Sequence, residues 1–165
     1  MIKANNISFT FKEFDSIEEM ESSDRELLKS AREAAHNAYA PYSGFRVGAA
    51  VRLASGIIVT GGNVENAAFP SGICAERNAL SNVSSNHPGD NPVALAVAAI
   101  TEAGNSYEPV SPCGNCRQVI AEEEFRSGKS IRIILNSKNK IQVIEKGGDL
   151  LPLQFSRNNL PVTPC

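Results

Sequence analysis

The chain has 165 residues and 42% of them are hydrophobic, which is enough for one globular domain with its own core. Its formal net charge of −2 at pH 7 excludes the basic surplus that binding a nucleic-acid backbone requires. The longest apolar run, residues 93–100, is far too short to span a membrane. We therefore expect neither nucleic acid nor a membrane as a partner.

The first 22 residues are predicted to be an extension that precedes the main domain. Ile7, Phe9 and Phe11 alternate with polar residues, a pattern typical of an edge strand, and an acidic run follows them. Charged residues interrupt the apolar ones throughout this segment, so it does not resemble a signal peptide and a cytoplasmic location is expected. In that reducing compartment, the four cysteines are expected to be metal ligands or free thiols rather than disulfides.

A first helix is predicted over residues 23–38. Ser23 and Glu26 have the spacing of a capping box, and the apolar residues after them have the spacing of one helical face. Pro41 then ends the helix. The apolar residues of that face are Leu27, Leu28, Ala31, Ala34, Ala35 and Ala38.

Five strands and two more helices are predicted downstream. Ser55 and Gly56 form a two-residue hairpin turn between the first two strands. The order of the elements predicts an α/β protein, a three-layer α/β/α sandwich with a mixed five-stranded sheet, over residues 23–156, with a tail at 157–165. The strands lie at 45–53, 57–60, 93–100, 131–135 and 141–144, and the helices at 74–84 and 113–125.

Three cysteines are predicted to converge at the starts of these two helices. Cys74 begins C-A-E at 74–76, and Cys113 and Cys116 belong to P-C-G-N-C at 112–116. A helix amino terminus presents free N–H groups and the positive end of the helix dipole, which stabilise thiolates. Three thiolates can hold one Zn²⁺ and leave its fourth position for water, as in catalytic zinc sites.

Glu76 is the candidate catalytic residue of this group. It follows Cys74 by two positions, too close to be a natural fourth ligand, but it can reach water on the metal and move a proton. A lone C-x-x-C is a weak signal, whereas C-x-E followed by P-C-x-x-C at helix starts is much more specific and matches zinc-dependent deaminases. One alternative stays open: Cys165 as a fourth ligand would make the zinc site closed and structural, and would leave Glu76 without a role.

Further motifs resemble those of the cytidine deaminase family. L-L-P at 150–152 with Phe155 resembles the end of the family's domain, so the resemblance covers about residues 27–155. Phe69 departs from it, because family members often have Tyr at this position. The other motifs are Y-A-P-Y-S at 39–43, F-R-V-G-A-A at 45–50, G-N-V-E-N-A at 62–67, C-A-E-R at 74–77 and S-P-C-G-N-C-R-Q at 111–118.

The resemblance implies a zinc-dependent hydrolase that acts on a small nucleoside. The implied reaction converts free cytidine and 2'-deoxycytidine to uridine and 2'-deoxyuridine with release of ammonia, as in pyrimidine salvage. Cys74, Cys113 and Cys116 would bind one Zn²⁺ per subunit, and Glu76 would move protons between water, the ring N3 and the leaving amine. A first ligand of the Cys type followed by Arg77 resembles the small homotetrameric branch of the family.

The resemblance also implies a set of residues that contact the substrate. Asn63 and Glu65 would hold a ribose hydroxyl, and their spacing agrees with this role, because side chains two apart on an extended segment point the same way. Alternatively, these two residues do not bind ribose but cap a loop. The resemblance implies that Phe45 contacts the pyrimidine. The alternative is that Phe45 is an ordinary core residue. The backbone of Ala75 and Ser111 is implied to contact the base. Arg77 is implied to form hydrogen bonds with the thiolates and so to offset their charge. Phe155 is implied to enter the pocket of a neighbouring subunit, with ordinary core packing as the alternative.

Three other functions are alternatives to this one. An aminonucleoside-antibiotic deaminase, such as one that acts on blasticidin S, would share C-A-E and P-C-x-x-C, but N-V-E-N at 63–66 favours an ordinary ribose. A zinc-stabilised binding module or inactive relative would need no proton shuttle, and Glu76 argues against it. Deaminases of tRNA, guanine or deoxycytidylate usually have His before A-E, and recognition of a polynucleotide or a phosphate would need more positive charge.

Overall fold

The computed structural model describes residues 1–106 and 108–161. None of the helices in these two ranges is long and apolar enough to cross a membrane. The main elements in chain order are β1 (Lys12–Phe14), α1 (Ser22–His36), β2 (Arg46–Leu53), β3 (Ile58–Gly62), α2 (Ala75–Asn86), β4 (Pro92–Thr101), β5 (Gly104–Asn105), α3 (Gly114–Ser127), β6 (Arg132–Asn136) and β7 (Ile141–Ile144).

One mixed sheet contains all of these strands. Its order is β1-β7-β6-β4-β2-β3, and β5 folds back onto β4 as a short hairpin. The pair β4 and β6 is parallel, with Leu95 opposite Ile133, and the other named pairs are antiparallel. The predicted α/β class with a mixed sheet is confirmed.

The predicted count of five strands is wrong, because the described residues form a sheet of seven strands. Strands β1 and β5 have three and two residues, too few to show a periodic apolar pattern. The edge strand expected from Ile7, Phe9 and Phe11 begins only at Lys12, and it pairs with β7. Its residues Lys12 and Glu13 are charged and exposed, as is common on sheet edges, where charges oppose pairing with another chain.

The helices cover both faces of the sheet, which gives the three predicted layers. Helix α1 packs on one face, and α2 and α3 pack on the other. Strand β4 lies in the middle and is apolar almost throughout, because both of its faces are buried. On the α1 face the core includes Leu27, Leu28, Ala31, Ala96, Ile134 and Val143, and on the opposite face it includes Leu80, Val83, Leu95, Ile120, Ile133 and Leu135.

Two glycines let strands approach helices closely. A Cβ at Gly48 of β2 would lie 2.1 Å from the carbonyl oxygen of Ala31 in α1. A Cβ at Gly61 of β3 would lie 2.5 Å from the backbone nitrogen of Ala79 in α2. Because only glycine fits at such distances, Gly61 fixes how closely the first turn of α2 lies against the sheet.

The start of α1 differs from the predicted capping box. The helix begins at Ser22, and Glu21 at the cap position makes no side-chain cap hydrogen bond. The prediction that Ser23 and Glu26 form a capping box is therefore wrong. The amphipathic face is correct, because Leu27, Leu28 and Ala31 are fully buried, and burial of this face rather than a cap holds α1 on the sheet.

Candidate active site

Two of the cysteines occupy the positions directly before helices. Cys74 caps α2, and its carbonyl accepts the N–H of Asn78 at 3.0 Å. Cys113 caps α3 in the same way, and its carbonyl accepts the N–H of Arg117 at 2.9 Å. Cys116 lies one turn into α3 and is buried. The two helix starts thus meet, and the positive ends of two helix dipoles point at one place.

The three sulfurs form a cluster whose spacing fits one zinc ion. The Sγ atoms of Cys74 and Cys113 lie 3.6 Å apart, and those of Cys113 and Cys116 lie 3.5 Å apart. All three sulfurs lie within 4.8 Å of one another. Tetrahedral Zn²⁺ with Zn–S bonds of about 2.3 Å needs sulfurs about 3.8 Å apart, so the donor set fits this metal in chemistry and in size.

The thiols of the cluster differ in acidity. Burial opposes ionisation of Cys113, but N–H groups of Cys116 and Asn115 together with the two neighbouring thiols lower its pKa below the usual value. Burial raises the pKa of Cys74, and burial together with nearby Glu76 raises the pKa of Cys116. Because a thiol loses its proton when it binds a metal, metal binding by such a cluster is expected to release protons.

Glu76 lies in the first turn of α2, beside the sulfur cluster. Its side chain is 5% exposed, and burial raises its pKa, although its own backbone N–H and the Cys116 thiol act in the opposite direction. A buried carboxyl with a raised pKa holds and releases protons more readily near neutral pH than an exposed one does. The position and environment of Glu76 thus suit proton transfer.

A cavity of about 600 Å³ opens beside Glu76 and the cysteines. This volume is in the range of small-ligand sites. Among the described residues that line the cavity, Glu65 and Glu76 are the charged ones, and none is Lys, Arg or His. Seven residues nominated by the sequence analysis line it: Asn63, Glu65, Cys74, Ala75, Glu76, Ser111 and Cys113.

Asn63 is anchored to the start of β2. Its Oδ1 accepts the N–H of Val47 at 2.7 Å, and its Nδ2 donates to the carbonyl of Phe45 at 3.2 Å. An amide NH₂ group has two hydrogens, so one donor of Asn63 is left for a ligand. These two bonds, one to the residue before β2 and one to β2 itself, hold this donor in place at the cavity wall.

Glu65 is held by the loop that precedes β2. Its Oε2 accepts the N–H groups of Tyr42 at 2.9 Å and Ser43 at 3.2 Å, and its Oε1 accepts the hydroxyl of Ser43 at 2.5 Å. The Ser43 hydroxyl, followed by these N–H groups, lowers the pKa of Glu65. Glu65 is therefore an ionised acceptor at neutral pH, beside the donor of Asn63.

Four nominated residues lie off the cavity wall of this chain. Cys116 lies behind the wall in the sulfur cluster, and Phe45 is partly buried without lining the cavity. Phe155 is 58% exposed, and its carbonyl accepts from Gln118. Within the described residues, no hydrogen bond or ion pair involves Arg77, and its predicted contact with the thiolates stays a prediction. Cys165, the alternative fourth ligand, lies outside the described residues.

Of the cavity residues that were not nominated from the sequence, three make side-chain contacts that shape the site. Ser43 reaches the site through Glu65, and Tyr42 and Phe69 form an edge-to-face aromatic pair with ring centroids 6.0 Å apart. Ser43 and Tyr42 belong to the Y-A-P-Y-S motif at 39–43, whereas Phe69 lies just after the G-N-V-E-N-A motif at 62–67. Their partners lie 22 or more positions away along the chain, so no local pattern indicates these contacts.

The family described as "Cytidine and deoxycytidylate deaminase zinc-binding region" matches residues 21–129. The chain belongs to the cytidine deaminase family. The matched range contains all three clustered cysteines, Glu76, and both Asn63 and Glu65. As a member, the chain is an enzyme of the hydrolytic deaminase class, and its sulfur cluster fits the zinc-binding region that the family is named for.

Individual cytidine deaminases are similar along most of the chain. The one from Sporosarcina psychrophila is 42% identical over 134 residues, which are 81% of this chain and 92% of that protein. The crystal structure of the one from Burkholderia pseudomallei has a TM-score of 0.66 and 38% identity, covering 79% of this chain and 97% of that one. A blasticidin-S deaminase from Bacillus cereus is also similar, 32% identical over 114 residues, 68% of this chain and 78% of that protein.

Proposed function

We propose that the chain catalyses the hydrolytic deamination of free cytidine and 2'-deoxycytidine to uridine and 2'-deoxyuridine, with release of ammonia. The observation that carries the proposal is the buried Glu76 beside three clustered cysteine sulfurs, at the wall of a cavity large enough for a nucleoside. Sulfur ligands, a proton-transferring carboxyl and a concave, mostly uncharged wall are the parts that this hydrolysis needs.

Cys74, Cys113 and Cys116 would hold one Zn²⁺ per chain. When bound, the ion supplies a Lewis acid that makes water a better nucleophile at neutral pH. The two helix amino termini at Cys74 and Cys113 stabilise the negative charge of the thiolates. We assign Arg77 to the offset of the remaining negative charge, a role supported by its place directly after Glu76.

Glu76 would perform both proton transfers of the reaction. The oxygen of water bonds to C4 of the ring, while Glu76 takes one proton of that water and delivers it to N3. Glu76 then carries the second proton to the 4-amino nitrogen. The C4–N4 bond breaks with its electron pair on nitrogen, ammonia leaves, and C4 becomes a carbonyl. One buried carboxyl group suffices, because each transfer returns it to its starting state.

Asn63 and Glu65 would recognise a hydroxyl group of the sugar. The spare hydrogen of Asn63 Nδ2 can donate to the hydroxyl oxygen, and the ionised Glu65 can accept the hydroxyl hydrogen. We assign the base to the backbone of Ala75 and Ser111, which line the cavity next to the zinc ligands. Phe45 and Phe155 of a neighbouring subunit would supply apolar contacts to the ring.

The charge of the cavity favours a nucleoside over a nucleotide. Its described lining residues carry two carboxylates and no cationic side chain. A phosphate group in this cavity would meet like charges without a compensating Lys or Arg. We therefore expect cytidine to be turned over much faster than its 5'-monophosphate.

The biological setting follows from the same proposal. We assign the deaminase domain to residues 23–156, with an extension at 1–22 and a tail at 157–165, and the chain to pyrimidine salvage in the cytoplasm. The free thiols at Cys74, Cys113 and Cys116 support a reducing compartment. A homotetramer is proposed because Phe155 is exposed and lies off the cavity of its own chain, so its implied contact with substrate requires a second subunit.

Deamination of an aminonucleoside antibiotic is the second candidate function. The similarity to a blasticidin-S deaminase over 68% of this chain favours it. Both reactions use the same zinc ligands and proton shuttle, so they differ in what the sugar end of the cavity accepts. The Asn63–Glu65 pair favours a hydroxyl-bearing ribose and places cytidine first.

The test is the loss of cytidine absorbance after addition of the zinc-loaded protein, with blasticidin S as a second substrate. We expect turnover of cytidine and a loss of about a thousandfold in kcat for Glu76→Gln, with zinc content unchanged. Glu122→Gln, at an exposed position on α3, is the control and should keep full activity. Zinc binding without cytidine turnover would contradict the proposal. Turnover of blasticidin S alone would then select the second candidate.

A further inference from the structure

The loop before β2 and the segment after β3 are joined at the sugar end of the cavity. The backbone of Glu65 is fixed independently of its side chain, since its N–H donates to the carbonyl of Tyr39 at 2.8 Å and Tyr39 donates to the carbonyl of Asn63 at 3.0 Å. The carboxylate of Glu65 has in addition three donors from the loop. The position of the Glu65 backbone therefore does not depend on Ser43, but the orientation of its carboxylate does.

The hydrogen-bonding capacity of the Glu65 carboxylate is nearly filled. A carboxylate offers about four acceptor positions, two on each oxygen. The N–H groups of Tyr42 and Ser43 occupy Oε2, and the Ser43 hydroxyl occupies one position on Oε1. About one acceptor position is left on Oε1, and Glu65 lines the cavity. The Ser43 hydroxyl thus decides which position on Glu65 a ligand can use.

The Ser43 hydroxyl is itself fixed from the other side. It accepts the N–H of Phe45 at 3.0 Å while it donates to Glu65. Gly44 between them has a φ of 66°, a left-handed conformation that turns the chain into β2. With both its donor and one acceptor position committed, the hydroxyl cannot rotate away from Glu65.

We infer that Ser43 is a positioning residue for sugar recognition, which orients the Glu65 carboxylate so that its remaining acceptor position meets the 3'-hydroxyl of the nucleoside. The inference rests on the proposed function and adds to it a residue that does not itself need to touch the substrate. Removal of the hydroxyl leaves the two N–H bonds to Oε2, so the loop and the fold are expected to persist.

The chain contains a matched control for this arrangement. At the β2–β3 hairpin, the hydroxyl of Ser55 donates to Asp90 Oδ2 at 2.5 Å, its N–H donates to Oδ1 of the same residue, and the hydroxyl accepts the N–H of Ile57. Ser55 does not line the cavity. Ser55→Ala therefore removes the same local contacts as Ser43→Ala, but at a site remote from the substrate.

The experiment compares cytidine with 3'-deoxycytidine as substrates of the zinc-loaded full chain. For Ser43→Ala we expect KM for cytidine to rise about tenfold with kcat little changed, because a hydrogen bond to a charged group is lost at the binding step. KM for 3'-deoxycytidine should stay the same, because this nucleoside has no hydroxyl for Glu65 to accept. Ser43→Thr, which keeps a hydroxyl, should restore KM, and Ser55→Ala should match the unchanged chain.

Three results separate the possibilities. A rise in KM for cytidine alone, rescued by Thr, supports the positioning role. An equal change with both nucleosides, or no change with either, overturns it and leaves the proposed function intact. If the unchanged chain turns over neither nucleoside, the proposed function fails and the inference fails with it. Thermal unfolding of each variant checks that the fold persists.

Discussion

The sulfurs of Cys74 and Cys113 lie 3.6 Å apart although the residues are 39 positions apart in the chain. Each residue caps a different helix, and the two helices pack on the same face of the sheet. Gly61 contributes to this meeting, because its missing side chain lets β3 contact the first turns of α2. The sulfur cluster is therefore a product of how two helix amino termini are placed on one sheet.

If Cys74, Cys113 and Cys116 are the zinc ligands, as proposed, substitution of each of them should remove zinc and substitution of the fourth cysteine should not. We expect Cys116→Ser to lose most of its zinc and its turnover, because a serine hydroxyl is a poor substitute for a thiolate ligand. Cys165→Ser is the control and should keep both. The check is zinc content per chain by atomic absorption, with cytidine turnover measured on the same samples. Loss of zinc in Cys165→Ser would instead indicate a closed structural site.

Substitution of Asp24, which lies far from the active site, is expected to lower the stability of the fold strongly. This carboxylate is 2% exposed and accepts from Arg52 Nη2 and Arg132 Nε, each at 2.9 Å, so it joins α1 to β2 and β6. Asp24→Asn should lower the free energy of unfolding by about 3 kcal/mol, since Arg52 loses its charge partner and Arg132 loses the buried one of its two partners. Urea unfolding provides the measurement.

The matched control for Asp24 is Glu145→Gln. Glu145 also pairs with Arg132, but its side chain is 53% exposed, so water replaces the lost partner and stability should change little. Equal effects of the two substitutions would contradict the view that burial makes the Asp24 pair important.

Among the described residues, no cationic side chain pairs with the buried carboxylate of Glu124, which holds the segment after β7 through backbone N–H groups. It accepts the N–H groups of Ile131 at 2.7 Å, Gly147 at 2.8 Å and Gly148 at 2.9 Å. Glu124→Gln should cost about 2 kcal/mol, because the amide NH₂ would face an N–H donor and leave it unsatisfied. Urea unfolding tests this value, with Glu123→Gln as the neighbouring control. An unchanged midpoint for Glu124→Gln would show that the three bonds matter little.

The Glu65 carboxylate is expected to make the stability of the fold depend on pH. Its folded-state pKa is lowered below 4.5, first by the Ser43 hydroxyl, so its carboxylate stabilises the fold above the unfolded-state pKa. This contribution is lost as the pH falls through the lowered pKa. The difference in Tm between the unchanged chain and Glu65→Gln should therefore be present at pH 7 and disappear in the acidic range below 4.5. A difference that persists unchanged at low pH would contradict the assignment.

Much of the architecture could be predicted from local patterns. The runs at β2, β4 and β6 are apolar because both faces of these strands are buried, and the spacing of Leu27, Leu28 and Ala31 marks the buried face of α1. The cysteine motifs indicated metal ligands because C-x-E and P-C-x-x-C are short and lie at helix starts. Strands β1 and β5 were missed because three residues, two of them charged, and two small residues are too few to carry a periodic signal.

The sequence by itself determined the longer elements, the layers and the two cysteine motifs, since each depends on residues a few positions apart. Only the tertiary structure decided that Glu65 is held by Ser43, that Asp24 joins two arginines, and that the cavity has no cationic lining residue among those described. These features depend on side chains that are 22 to 108 positions apart. The periodicity of hydrophobic residues specifies which face is buried, but it does not specify which polar groups meet when those faces pack.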